Sequence, residues 1–163
     1  MKLKKSYILL SILITLFLIS IFIVKNQSDE SVKVALFFPR YTPKDGERLE
    51  KVYRKVKLKS IETTAIANEL LILLLNGPNK EEKEKGYFNY FIPGTSVLNI
   101  YKKEKVLFIN FNENFAEQKR YDFLIRSGQI IETFQSNKKL IGDIEEVKFL
   151  VNGQQLVGVD LMK

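Results

Sequence analysis

The sequence predicts an α+β fold: a two-layer sandwich with two helices packed on one face of a mainly antiparallel sheet, preceded by one N-terminal transmembrane helix. Three observations carry this prediction. The run Tyr7–Val24 holds no charge and is dominated by Leu, Ile and Phe. Two later segments, Thr63–Leu75 and Arg120–Asn137, place apolar residues at helical spacing. Short β-rich segments lie around them, bounded by Gly, Pro and Asn turn signals. At 163 residues the chain has room for one domain and not comfortably for two. It is 45% hydrophobic and 28% charged, which sets it among globular chains and apart from disordered tails. It divides into an anchor (1–25), a polar connector (26–31) and one domain (32–163).

As a helix the first run rises about 1.5 Å per residue and spans close to 27 Å, against a bilayer core of about 30 Å. Lys4, Lys5 and Lys25 flank it and can snorkel to the interfaces. A cleaved signal peptide would have an apolar region of roughly 7–15 residues and a small-x-small site; here the run is longer and Phe22-Ile23-Val24-Lys25 offers no small pair. Lys2, Lys4 and Lys5 precede the run with no acid among them, which orients the N-terminus to the cytoplasm. The expected location is a cell membrane, crossed once, with the C-terminal domain outside.

Val32–Phe38 is apolar and β-rich and reads as a strand stopped by Pro39. Pro43-Lys44-Asp45-Gly46 is a turn signal. Leu49–Leu58 alternates and reads as an edge strand whose lysines discourage edge-to-edge pairing. Thr63–Leu75 is a buried helix with Ser60 as its candidate cap, ended by Gly77-Pro78. Glu81–Lys85 is a solvated charge run. Val97–Tyr101 and Val106–Phe111 form a hairpin, Arg120–Asn137 a second helix, and Val147–Val151 a strand. Asn152-Gly153 is a strong hairpin signal, after which Gln154–Val157 returns.

Several landmarks now stand in order: a Leu-rich helix closed by Asn76-Gly77-Pro78; Ile92-Pro93-Gly94-Thr95; a hairpin ending in Val106-Leu107-Phe108-Ile109-Asn110-Phe111; a second helix; and Val147-Lys148-Phe149-Leu150-Val151-Asn152-Gly153-Gln154. In this order and spacing they resemble the GerMN domain, the sporulation and spore-germination module, over about Val32 to Met162. The resemblance implies a fold like a ring-building motif and an exported, non-enzymatic protein. Such proteins help build envelope assemblies, including the channel complex between the two cells of a sporulating bacterium. Family members are often lipoproteins, and the sporulation proteins carry the domain in tandem. This chain has no cysteine and one copy.

Chemistry is narrowly bounded. No cysteine and no histidine are present, which removes thiol catalysis, thiolate metal sites and the commonest general base. No Gly-x-Ser-x-Gly elbow occurs. Glu113 and Glu117, and Asp122 and Arg126, sit four apart, a spacing too common to mark a glycosidase pair. We therefore expect no catalytic, cofactor or metal site. The 26 basic and 19 acidic residues give +7, but no concentrated basic stripe with interleaved aromatics stands out, so nucleic acid is not an expected partner.

Gly77, Pro78, Pro93, Gly94, Asn152 and Gly153 are read as backbone-shaping residues. On the second helix Tyr121, Leu124, Ile125, Gly128 and Ile131 make one apolar face, and Phe123, Ile130 and Phe134 a second stripe. Asp122, Arg126, Gln129 and Thr133 make the polar face. The second stripe is either core or a contact with a neighbouring subunit. If Leu107, Ile109 and Phe111 face the helices, Val106 and Phe108 face away, joined by Leu150. These are either covered by the first two strands or form a protein interface. The expected partners are envelope proteins or further copies of the chain, with the membrane reached through Tyr7–Val24. The alternative is a wall-binding or regulatory module acting on peptidoglycan or on a peptidoglycan enzyme.

Overall fold

The computed structural model describes residues 13–15, 17, 31–117 and 120–156. Among these no helix is long and apolar enough to cross a membrane; the run Tyr7–Val24 lies almost wholly outside them. The chain divides into a unit of Met1–Ser31 and a compact unit of Val32–Lys163.

Strands β1 (Val32–Thr42) and β2 (Gly46–Val56) form an antiparallel hairpin in register from Val32↔Val56 to Thr42↔Gly46. Thr42 Oγ1 accepts the Asp45 N–H at 3.1 Å in the turn, and Gly46 enters β2 at φ +70°. Pro39 was expected to stop β1, but the strand runs three residues further. The N–H and C=O groups of Ala35 and Phe37 point away from β2, and Pro39 shares their parity. Its missing N–H falls on that same side, so the β1–β2 ladder loses nothing.

Helix α1 (Thr63–Leu75) buries Ile66, Ala67, Leu70, Leu71 and Leu74. Ser60 does not cap it. Its hydroxyl accepts the Glu62 N–H at 3.1 Å, and Glu62 occupies the cap position without a side-chain bond. Of the loop or short helical turn that the charge run allowed, the structure takes the turn, a short helix α2 (Lys80–Glu84) begun by a capping box of Asn79 and Glu82. Strands β3 (Val97–Lys103), β4 (Val106–Phe111), β5 (Glu146–Val151) and β6 (Gln154–Gln155) form a sheet in that order. Helices α3 (Arg120–Ser136) and α4 (Lys138–Ile141) connect β4 to β5.

Strand pairing is mainly antiparallel, as expected, with two further features. β4 and β5 are parallel, paired Val106↔Glu146 to Phe111↔Val151. The long connection through α3 permits this, since a parallel pair requires a crossover and a tight turn cannot supply one. The β1–β2 hairpin is also a separate two-stranded sheet. It packs on α1 and α3. Its inner face, Val34, Leu36, Phe38 and Val52, joins one core with α1 and with Leu107, Ile109, Phe111 and Phe149 of the sheet. Phe115 is the aromatic centre, stacked 4.0 Å from Phe111 and flanked by Phe149 at 5.4 Å and Phe123 at 5.5 Å.

The outer edge of β1 is closed by side chains of α3 and the residue after it. Asn137 accepts the Ala35 N–H at 3.1 Å and donates to the Ala35 carbonyl at 2.7 Å. Thr133 Oγ1 accepts the Phe37 N–H at 3.1 Å, and Gln129 Nε2 donates to the Phe37 carbonyl at 3.1 Å. These three residues are four apart, one helical turn each, and so share one face. That rise matches the two-residue repeat of the strand edge closely enough for three residues over about two turns to serve two strand positions. Sequence reading assigned Gln129 and Thr133 to a polar face; they are fully buried.

At the other side of the hairpin Arg54 grips Glu82. Arg54 Nε donates to Glu82 Oε1 at 3.0 Å, and its terminal nitrogen donates to Glu82 Oε2 and to the Gly77 carbonyl. Burial pushes the Glu82 carboxyl upward, but the Arg54 hydrogen bonds and the Asn79 N–H outweigh it, and the net shift is below the usual carboxylate range.

Replacing Asn137 by Ala leaves the Ala35 N–H and carbonyl buried and unpaired. It should destabilise the domain by roughly 2–4 kcal/mol in urea unfolding, since each such group costs about 1–3. Replacing exposed Tyr121 by Ala should change stability by about 0.5–1 kcal/mol at most. For Glu82, a depressed folded pKa means the stabilisation is present above the ordinary carboxylate range and lost as pH falls through the folded value. Glu82→Gln should therefore melt below the unsubstituted chain at pH 7, with the gap closing toward acid; a gap constant from pH 7 to 3 would mean the charge contributes nothing.

Candidate functional site

The face of the sheet turned from the helices is built by strand alternation and register. Ile100, Ile109 and Phe149 form a row on the helix side. On the opposite face three rows run across β3, β4 and β5: Lys103–Val106–Glu146, Tyr101–Phe108–Lys148 and Asn99–Asn110–Leu150. Tyr101 and Phe108 stack with ring centres 4.7 Å apart and planes 4° from parallel. Lys148 Nζ lies 5.9 Å from the Phe108 centre and 3.5 Å from Glu146. Tyr101 is 41% exposed, Val106 and Phe108 are half-buried, and Leu150 is buried. The hairpin packs on the helices and supplies no cover here. Of the three residues singled out on this face, Val106 and Phe108 are accessible and Leu150 is not.

The stripe of α3 is placed differently. Ile130 and Phe134 lie in the core, and Phe123 is half-buried edge-on to Phe115. These three do not form an exposed contact surface. Docking of Gln129, Thr133 and Asn137 on β1 fixes the rotation of the helix and turns this stripe inward. Tyr121 and Leu124, read as part of the inward face, are exposed. Tyr121 and Tyr90 both donate to Glu47, at 3.2 and 2.8 Å. Burial, then the Glu47 carboxylate, pushes the Tyr90 hydroxyl up to about 12, so it stays a donor at neutral pH.

The motif residues set backbone geometry. Gly77 lies at φ +74° and Gly94 at φ +87°, and a Cβ on Gly94 would stand 2.8 Å from Asn114 Nδ2. Pro78 is buried and leads into the α2 cap, while Pro93 is exposed in the turn. Asn152 (φ 49°) and Gly153 (φ 82°) make the two-residue turn into β6, and Gly153 N–H donates to Asn110 Oδ1 at 2.9 Å. Asn152 Nδ2 also donates to Glu113 at 3.2 Å.

Sequence reading set Arg126 on the polar face of α3. It is fully buried and donates to the carbonyls of Tyr90 (3.1 Å) and Glu117 (2.8 Å), tying the two loops beside Phe115. Burial lowers its pKa, partly countered by Asp122. Spacing alone offered one signal, an Asp122–Arg126 pair, and that pointed to solvent. Among the described residues no group of three or more acidic side chains is placed to hold a metal.

A search of curated proteins found no match. Solved structures do match. The tandem GerMN domains of the sporulation protein GerM from Bacillus subtilis align at TM-score 0.61 and 17% identity, covering 79% of this chain and 42% of that one. The first GerMN domain of the same protein aligns at TM-score 0.59 and 22% identity, covering 80% and 90%. This chain thus spans less than half of the tandem. The model of the Germane family, described as sporulation and spore germination, matches residues 35–157. With most of its domain inside that match, the chain belongs to the Germane family and carries a GerMN-type domain.

Proposed function

We propose that this protein is a non-catalytic assembly protein of a sporulation-type cell-envelope complex, held at the membrane by Tyr7–Val24 with its domain outside the cytoplasm. Family membership supports the sporulation-type role. The anchor reading rests on the uncharged length of Tyr7–Val24 and its flanking lysines. The observation that carries the assembly role is the uncovered Tyr101–Phe108 stack on the open sheet face. Large aromatics at the middle of a solvent-facing patch are the side chains that dominate protein interfaces. The fold does not need them exposed, since the helix-side rows already fill the core. The domain's contacts with neighbouring copies run through this face, and the buried stripe of α3 takes no part.

Light scattering on residues 31–163 over a concentration series tests this. Growth to a discrete oligomer is the expected outcome. Tyr101→Glu with Phe108→Lys should return the species to monomer, weakening association by at least tenfold while leaving the melting curve nearly unchanged. A domain that stays monomeric at millimolar concentration would remove self-assembly from the proposal.

A further inference from the structure

The outer face of the β1–β2 hairpin interleaves lysines with aromatic rings. Register sets Lys33 opposite Lys55, Ala35 opposite Tyr53 and Phe37 opposite Lys51. Opposed residues share a face, as do residues two apart along a strand. Lys33, Lys51 and Lys55 therefore stand with Tyr53 and Phe37 on the side away from the buried row of Val34, Leu36, Phe38 and Val52. All three lysines are exposed, and Tyr53 is 58% exposed. Lys33 Nζ sits 4.0 Å from the Tyr53 ring centre and Lys51 Nζ 5.2 Å from that of Phe37.

Among the described residues none of the three lysines is in an ion pair. The acid on the same face, Glu47, is held by Tyr90 and Tyr121 at the far end. Lys33 directly across from Lys55 is a repulsive pair, which works against the hairpin unless an outside anion screens it. Sequence reading took the β2 lysines as protection against edge pairing. Two of them, Lys51 and Lys55, share one face of the ribbon, and Lys33 of β1 extends their row.

We propose that this face docks on a bilayer surface of anionic phospholipid headgroups. Lysines spaced along a ribbon match a plane of negative charge, and tyrosine beside them suits the headgroup layer, where one end of the ring is wet and the other apolar. The choice of a bilayer over a soluble polyanion rests on the anchor reading above. Residues 26–31 then separate the apolar run from β1, and fully extended they reach only about 20 Å.

Residues 31–163 contain the whole compact unit Val32–Lys163 with its core and can be tested without the anchor, by co-sedimentation with vesicles. Phosphatidylglycerol vesicles should pull the domain down, phosphatidylcholine vesicles should not, and salt should weaken the binding. Lys33→Glu, Lys51→Glu and Lys55→Glu together should lower the partition coefficient at least a hundredfold, since each lysine near such a surface is worth roughly fivefold and reversal adds repulsion. Lys80→Glu, Lys83→Glu and Lys139→Glu together, with the same net charge, should keep most of the binding. Equal loss in both triple variants overturns the proposal, as does absence of binding or preference for a soluble wall polyanion over the vesicles. Melting curves of the first triple variant show that its fold is intact. The anchor is tested apart, by alkaline carbonate extraction of the full chain, which strips charge-held proteins and leaves a spanning helix in place.

Discussion

The free edge of β1 is the constraint on which the rest of the domain depends. A strand with one neighbour leaves a row of backbone donors and acceptors on its other side, and burying that row unpaired is expensive. Here Gln129, Thr133 and Asn137 supply a substitute partner from a helix. That arrangement fixes the rotation of α3, and the rotation sends Ile130 and Phe134 into the core beneath it. It also ties the hairpin to the helices, leaving the far face of the sheet uncovered. One set of polar contacts thus decides which surfaces are core and which are available.

Parts of the fold were plain in the sequence because local chemistry decides them. Gly77-Pro78 ended α1, Asn152-Gly153 made the turn into β6, and the apolar spacing of Thr63–Leu75 marked that helix to the residue. Tertiary contacts decided the rest. Hydropathy counts Gln129 and Thr133 as solvent-facing because it cannot see a strand edge that needs hydrogen bonds. Arg126 was misread for the same reason: its acceptors are backbone carbonyls of distant loops, which no spacing rule reports. The parallel pairing of β4 and β5 was hidden because strand order is a property of the crossover and not of either strand. Of the open sheet face, Val106 and Phe108 were legible from alternation alone; Leu150 was placed on the right face, but its burial was not legible.

The domain has two chemically distinct outer surfaces. The sheet face presents a stacked aromatic pair bordered by mixed charge, with Lys148 beside Glu146. The hairpin face presents unbalanced positive charge over aromatic rings. Apolar stacking favours a protein partner of fitted shape, whereas spaced charge favours a diffuse anionic plane that needs no register. The two proposed contacts, with neighbouring copies and with an anionic bilayer, thus fall on different faces of the domain.

The contact of β1 with α3 also joins residues 96 and 102 positions apart in the chain. A chain emerging N-terminus first presents the hairpin long before Thr133 and Asn137 exist to close it. Local pairing of β1 with β2 can form early, but the outer edge stays open until nearly the whole domain has emerged, and long-range closures of this type are slow. The nascent hairpin is then the segment most in need of protection from pairing with a foreign strand, and the lysines of β2 already stand on it during that interval.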